Sequence, residues 1–207
     1  MLELRDNYEY FNWFSSKSVV IGSKEYEINS NFRTSILFEQ MIQDTTLNEF
    51  YKINHTILLY YNEIPDDLNQ AIEKAMWFYR GGKDLNKKTN SDGNSEQLYD
   101  WDYDDEIIYS AFLSQYNIDL QDIEYLHWWK FRALFNSLNK SNKISEVMEI
   151  RSIKLSDIKD KEQRKQYQKL KNLYSIPKKK ELIELEDELS QILMTGGDIN
   201  NFINNNI

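Results

Sequence analysis

The chain has 207 residues, a net charge of −9, 41% hydrophobic content and no cysteine. That is enough for one sizeable domain, or a domain with an appendage, and it excludes disulfides and thiolate metal sites. With only six glycines and two prolines, a sandwich or barrel of many tight turns is disfavoured, and the acidic balance weighs against nucleic acid as a partner. The expected fold is mainly α: a multi-helix domain with an N-terminal β-hairpin and a C-terminal helical extension.

The opening MLELRDNYEYFNWF has neither the basic start nor the apolar run of a secretory leader, and no segment approaches the ~20 apolar residues of a membrane span. A cytoplasmic location without membrane association is expected. From Ser18 to Asn29, SVVIGSKEYEIN holds two extended runs, VVI and YEI, around a Gly-Ser-Lys turn, which reads as a hairpin. Asn29-Ser30-Asn31 then caps a helix carrying Phe32, Ile36, Leu37, Met41 and Ile42, and a second helix carries Leu47, Phe50, Ile53, Ile57 and Leu58. Pro65, Asp66 and Asp67 fit a first helical turn, where a missing N–H costs little and negative charge suits the helix dipole. That third helix runs through Ala71, Ala75 and Phe78, includes the cluster Trp77-Phe78-Tyr79-Arg80, and stops at Gly81-Gly82.

Residues 83–98 lack an apolar period and read as a flexible loop between an N-terminal part, 1–82, and a helical core segment, 99–153. Within that segment one helix is predicted near 103–116, another from about 120 to 138, and a short one from Ile144 to Ile153. The remainder, 154–207, is predicted as a helical extension with a polar tail. It has a helix from Ser156 to Tyr174, a restart at Pro177, and a segment with Leu182, Leu185, Leu189 and Ile192 at helical spacing. Lys154 to Lys180 carries ten basic and three acidic residues, whereas 181–207 carries six acidic and none basic. The basic stretch reads as a solvated or partner-facing helix.

Asp100 to Leu138 concentrates three of the five tryptophans, an acidic run and one of the two histidines. The acids Asp100, Asp102, Asp104, Asp105 and Glu106 are hard ligands of the kind Mg²⁺ or Ca²⁺ takes. They lack the glycine turn and terminal glutamate of an EF-hand loop and lead directly into IIYSAF, so negative charge at a helix start is the simpler reading. His127 falls on one helical line with Leu120, Ile123, Phe131, Leu134 and Leu138, a structural position. Trp128 and Trp129 point about 100° apart on a helix, so at least one needs cover outside the main stripe. Trp77, Trp101, Trp128 and Trp129, with Lys130 and Arg132 presenting donors beside the last two, are the candidate interaction residues. No phosphate loop, nucleophile elbow or Cys/His metal pattern occurs, so no catalytic residue, metal or cofactor is assigned.

GSKEYEINSNFRTSILFEQMIQD, FYRGG, YDWDYDDEIIYSAFLSQYNIDL and LHWWKFRALFNSL, in that order, resemble the phage gene-product-fifteen family of tail-gene clusters in phages and prophages of Gram-positive bacteria. The resemblance covers roughly 18–153. It implies a tail assembly chaperone, a non-enzymatic helper that binds the tape-measure protein, brings tail-tube subunits to it, works in the host cytoplasm and is absent from the finished virion. Self-association is a further expectation. The alternatives are a structural protein of the tail or head-tail region and, more remotely, a metal-dependent nuclease using the Asp100 to Glu106 carboxylates.

Overall fold

The computed structural model describes residues 16–84 and 97–177. Strands β1 (Ser18–Ile21) and β2 (Lys24–Glu27) pair antiparallel with Val19 opposite Tyr26 and Ile21 opposite Lys24. The two-residue loop places Gly22 at φ 60°, the left-handed conformation that a tight hairpin needs at this position and that glycine adopts without steric cost.

Helices α1 (Phe32–Gln43), α2 (Glu49–Tyr60) and α3 (Leu68–Tyr79) follow, each opened by a side-chain cap. Asn31 accepts from the Arg33 N–H, Asn48 from Tyr51, and Asp67 from Gln70. Each cap satisfies one of the amides that a helix start leaves without a partner. Pro65 and Asp66 therefore precede α3 rather than form its first turn, and Asp67 acts as its cap. The end of α3 is as expected: the Gly81 and Gly82 amides return to the Phe78 and Trp77 carbonyls, with both glycines at positive φ.

After residue 97 come α4 (Asp105–Tyr116), α5 (Trp128–Asn136) and α6 (Lys143–Ser152). The predicted helix over 120–138 is half as long as expected. Asn117 ends α4 in the left-handed region, and Asp119 Oδ1 accepts from the Gln121 and Asp122 amides. Residues 118–127 thus turn and extend, pinned to the start of α1: Phe32 N–H donates to the Leu126 carbonyl and Trp128 N–H to that of Ser30. His127 is not mid-helix but the cap of α5, its Nδ1 accepting from the Trp129 N–H at 3.1 Å.

The core of this unit, residues 1–152, is aromatic. Phe131 stacks on Phe32 and on Phe112, both at 4.9 Å, and Phe78 lies 5.2 Å from Trp129. Ala71, Ala75 and Phe78 are buried as their spacing predicts, but of the stripe assigned to α2 only Ile57 is. The second unit, residues 153–207, contains a 3₁₀ turn (Leu155–Asp157) and α7 (Lys161–Leu173), capped by Asp160. The stripe from Leu182 to Ile192 and the polar tail lie outside the described residues, as do 85–96 of the predicted loop. No described helix is long and apolar enough to cross a membrane.

Candidate interaction surfaces

The aromatic blocks around Phe78 and Trp129 meet at the end of α3. The last carbonyls of a helix have no partner within it. Here Trp129 Nε1 donates to the Phe78 carbonyl at 2.7 Å, while Trp128 Nε1 and Arg132 Nη1 both donate to that of Tyr79, at 2.8 and 3.0 Å. The divergence of two adjacent tryptophans is thereby resolved: one ring lies against Phe78 and Trp77, the other stacks on Tyr79. A cation beside a helix C-terminus is also favourable for its dipole. The junction is close-packed, and a Cβ on Gly81 would stand 2.6 Å from Arg132 Nη1.

Of the candidate interaction residues, Trp101, Trp128 and Trp129 are buried, Trp77 and Arg132 are half-buried, and Lys130 is exposed. The junction brings Trp77, Trp128, Trp129 and Arg132 together; Trp101 sits apart, against Tyr99 and Phe135.

His127 is closed on both ring nitrogens. Nδ1 accepts from Trp129 and Nε2 donates to the Ser16 carbonyl at 3.0 Å, which fixes a neutral tautomer. Burial holds its pKa below the usual 6.5, and the nearby positive charges of Lys130 and Lys17 lower it further, against the Ser16 hydrogen bond.

The acidic run does not converge. Asp105 and Glu106 occupy the first turn of α4, as a helix start predicts. Asp100 accepts from the amides of Asp102 and Tyr103, and Asp102 from Gln40 Nε2. Asp104 is buried and receives both arms of Arg151, with Nη2 at 2.9 Å from Oδ1 and Nη1 at 2.5 Å from Oδ2. The same carboxylate accepts from the Asp100 amide, and Arg151 also reaches the Leu98 carbonyl. This ion pair fastens the turn before α4 to α6. Sequence reading missed it because 47 residues separate the partners. No group of three or more potential metal ligands occurs among the described residues.

Two cavities flank Trp101. One, of about 170 Å³, is lined by Glu39, Tyr79, Tyr99, Trp128, Arg132 and neighbouring side chains. Tyr99 donates to Glu39 Oε1 at 3.1 Å, and burial together with the Glu39 charge raises the pKa of Tyr79 and Tyr99, keeping both phenols protonated donors. The other, of about 290 Å³, is a more apolar groove lined by Phe32, Ile36, Ile108, Tyr109, Leu120 and Phe131, with Asp105, Glu106 and Gln121 beside them. Glu39 Oε2 and Trp101 Nε1 have no hydrogen-bond partner among the described residues.

The outer side of α2 is a third feature. Phe50 is 77% and Leu58 65% exposed, with Ile53 also open, and α1, which packs on α2, exposes Leu37 and Ile42. These were expected to be core positions. Phe50, Ile53 and Leu58 fall within about 140° of the circumference of α2, an apolar face of the kind that marks an interaction site on a folded protein.

A family model described as Bacteriophage Gp15 protein matches residues 15–176. No curated protein and no solved structure matches the chain.

Proposed function

We propose that this chain, which belongs to the Bacteriophage Gp15 protein family, is a tail assembly chaperone. It binds the helical tape-measure protein of the same phage, brings tail-tube subunits to it in the host cytoplasm, and leaves before the virion is complete. The observation that supports this reading is the exposed apolar face of α2. A folded domain whose core is already supplied by Phe78, Phe112, Phe131 and the tryptophans nonetheless presents Phe50, Ile53 and Leu58 to solvent. Such a face covers the apolar stripe of an amphipathic helix before that helix finds its place in the tail, the helix-in-groove mode of recognition. The protein then acts through contacts, without a reaction of its own.

Co-purification tests the reading. The tagged protein is expressed with the tape-measure and tube proteins encoded beside it, and both are expected to be retained. Phe50→Ser with Leu58→Ser, at positions outside the core, is expected to release the tape-measure protein while leaving the thermal transition within a few degrees. Retention of neither protein by the unaltered chain rules the chaperone out.

A further inference from the structure

We propose that the open side of α7 is covered by the chain's own segment 181–193, the two pairing as an antiparallel helical hairpin within the second unit. Arg164 gives Nε and Nη2 to the Ile158 carbonyl at 3.0 and 2.6 Å, and Lys171 gives Nζ to that of Ile153 at 2.9 Å. These two residues lie about 20° apart around the helix, and they tie that side of α7 to the stretch leading into it. Leu173 lies about 160–180° from both, with Gln166 and Lys169 beside it. It is 66% exposed, and the half-buried Leu170 borders the same side. No residue of α7 is buried. A helix of 13 residues is marginal in water without a partner. Lys161, Lys165 and Lys169 also repeat at four-residue spacing, where like charges repel. The helix therefore needs apolar cover and negative charge on the side away from Arg164 and Lys171.

The sequence that follows carries both. Leu182, Leu185, Leu189 and Ile192 recur at spacings of three, four and three, and Glu181, Glu184, Glu186, Asp187 and Glu188 accompany them without a basic residue. Residues 174–180 separate this segment from α7, a connection within the roughly two to eight residues that join antiparallel helices. Folding back about it sets Leu182 against Leu173, Leu185 against Leu170, and Glu188 beside Lys169 at the edge of the apolar contact. The leucines supply the affinity, and the Lys169–Glu188 pair favours this register. The same pairing answers the charge of α7, whose five cations stand against one acid. Bare, such a helix attracts phosphate backbones without regard to sequence; the chain's own carboxylates neutralise it.

Hydrogen–deuterium exchange of the full-length chain, read by mass spectrometry, is the test. Peptides from α7 are expected to exchange at least about tenfold faster in Leu185→Ser/Leu189→Ser than in the unaltered chain, while those from residues 1–152 keep their rates. Lys169→Glu and Glu188→Lys alone are each expected to speed α7 exchange by about two- to fivefold, the range of an ion pair near the surface. Together they are expected to return it to within about twofold of the unaltered chain. Carbodiimide treatment of an equimolar mixture of light and ¹⁵N-labelled chains is expected to join Lys169 to Glu188 within one isotope only. Exchange of α7 indifferent to the leucine substitutions, or charge reversals that add rather than cancel, overturns the proposal. So do heavy–light cross-links, which would make a second copy's segment the occupant.

Discussion

Replacing Arg151 by alanine is expected to destabilise the first unit far more than removal of an ordinary surface charge. Arg151 and Asp104 are 6% and 3% exposed, and the guanidinium meets the carboxylate with two nitrogens while a third contact reaches the Leu98 carbonyl. Alanine leaves the Asp104 carboxylate buried with only the Asp100 amide as a partner. Removing one member of a buried pair costs about 3–5 kcal/mol, because the remaining charge keeps its desolvation penalty. At roughly 2–4 °C per kcal/mol for a chain of this size, the melting temperature falls by about 6–20 °C. Asp104→Leu with Arg151→Met removes both charges and fills both volumes, so it is expected to lose much less than Arg151→Ala alone. Urea denaturation followed by tryptophan fluorescence measures all the variants and the coupling between them, Trp101 lying in the segment that the pair fastens. A loss below about 1 kcal/mol for Arg151→Ala, the range of exposed pairs, or simple additivity of Arg151→Ala and Asp104→Ala in the double variant, would refute the reasoning.

Three further outcomes follow from the junction at the end of α3. Trp129→Phe keeps most of the ring but not the hydrogen bond to Phe78, and is expected to cost about 1 kcal/mol, against about 3–5 kcal/mol for Trp129→Ala; equal losses in chemical denaturation would show that the indole N–H contributes nothing. Gly81→Ala forces a side chain into φ 80° and against Arg132, with an expected cost of about 1–3 kcal/mol. Part of that cost should vanish in an Arg132→Ala background, which a thermal melt of the four variants checks. His127 has a folded pKa below its unfolded value of 6.5, so the unfolded chain takes up the proton first and stability falls as pH drops below about 6.5. His127→Asn keeps a capping side chain and should flatten that slope, whereas an unchanged pH dependence would place the titration elsewhere.

Local signals in the chain were sufficient for the elements whose punctuation is local. The Gly22 turn, the cap at Asn31 and the Gly81-Gly82 stop stand where backbone chemistry requires them, whereas the helix expected from Ser156 begins only at Lys161, after a 3₁₀ turn and the Asp160 cap. The helix over 120–138 shows the opposite case: Leu120, Ile123, His127, Phe131 and Leu134 keep a helical period, yet Asp119 binds the next amides and Leu126 pairs with Phe32, so turn chemistry and a distant strand-like partner prevail. Asn117 followed by Asp119 was a readable sign of that stop. The exposure of Phe50, Ile53 and Leu58 was not readable, since an apolar stripe looks the same whether it faces a core or a partner. Neither was the Asp104–Arg151 pair, which exists only once α6 is folded against the segment before α4.

The central claim, that the chain chaperones tail assembly, is tested most directly by quantitative mass spectrometry of assembly intermediates and purified particles from one infected or induced culture. The account predicts this chain in complexes with the tape-measure protein before tail completion and its absence from finished particles. A fixed copy number in purified particles, with no tape-measure complex beforehand, would contradict it and make the protein a component of the tail.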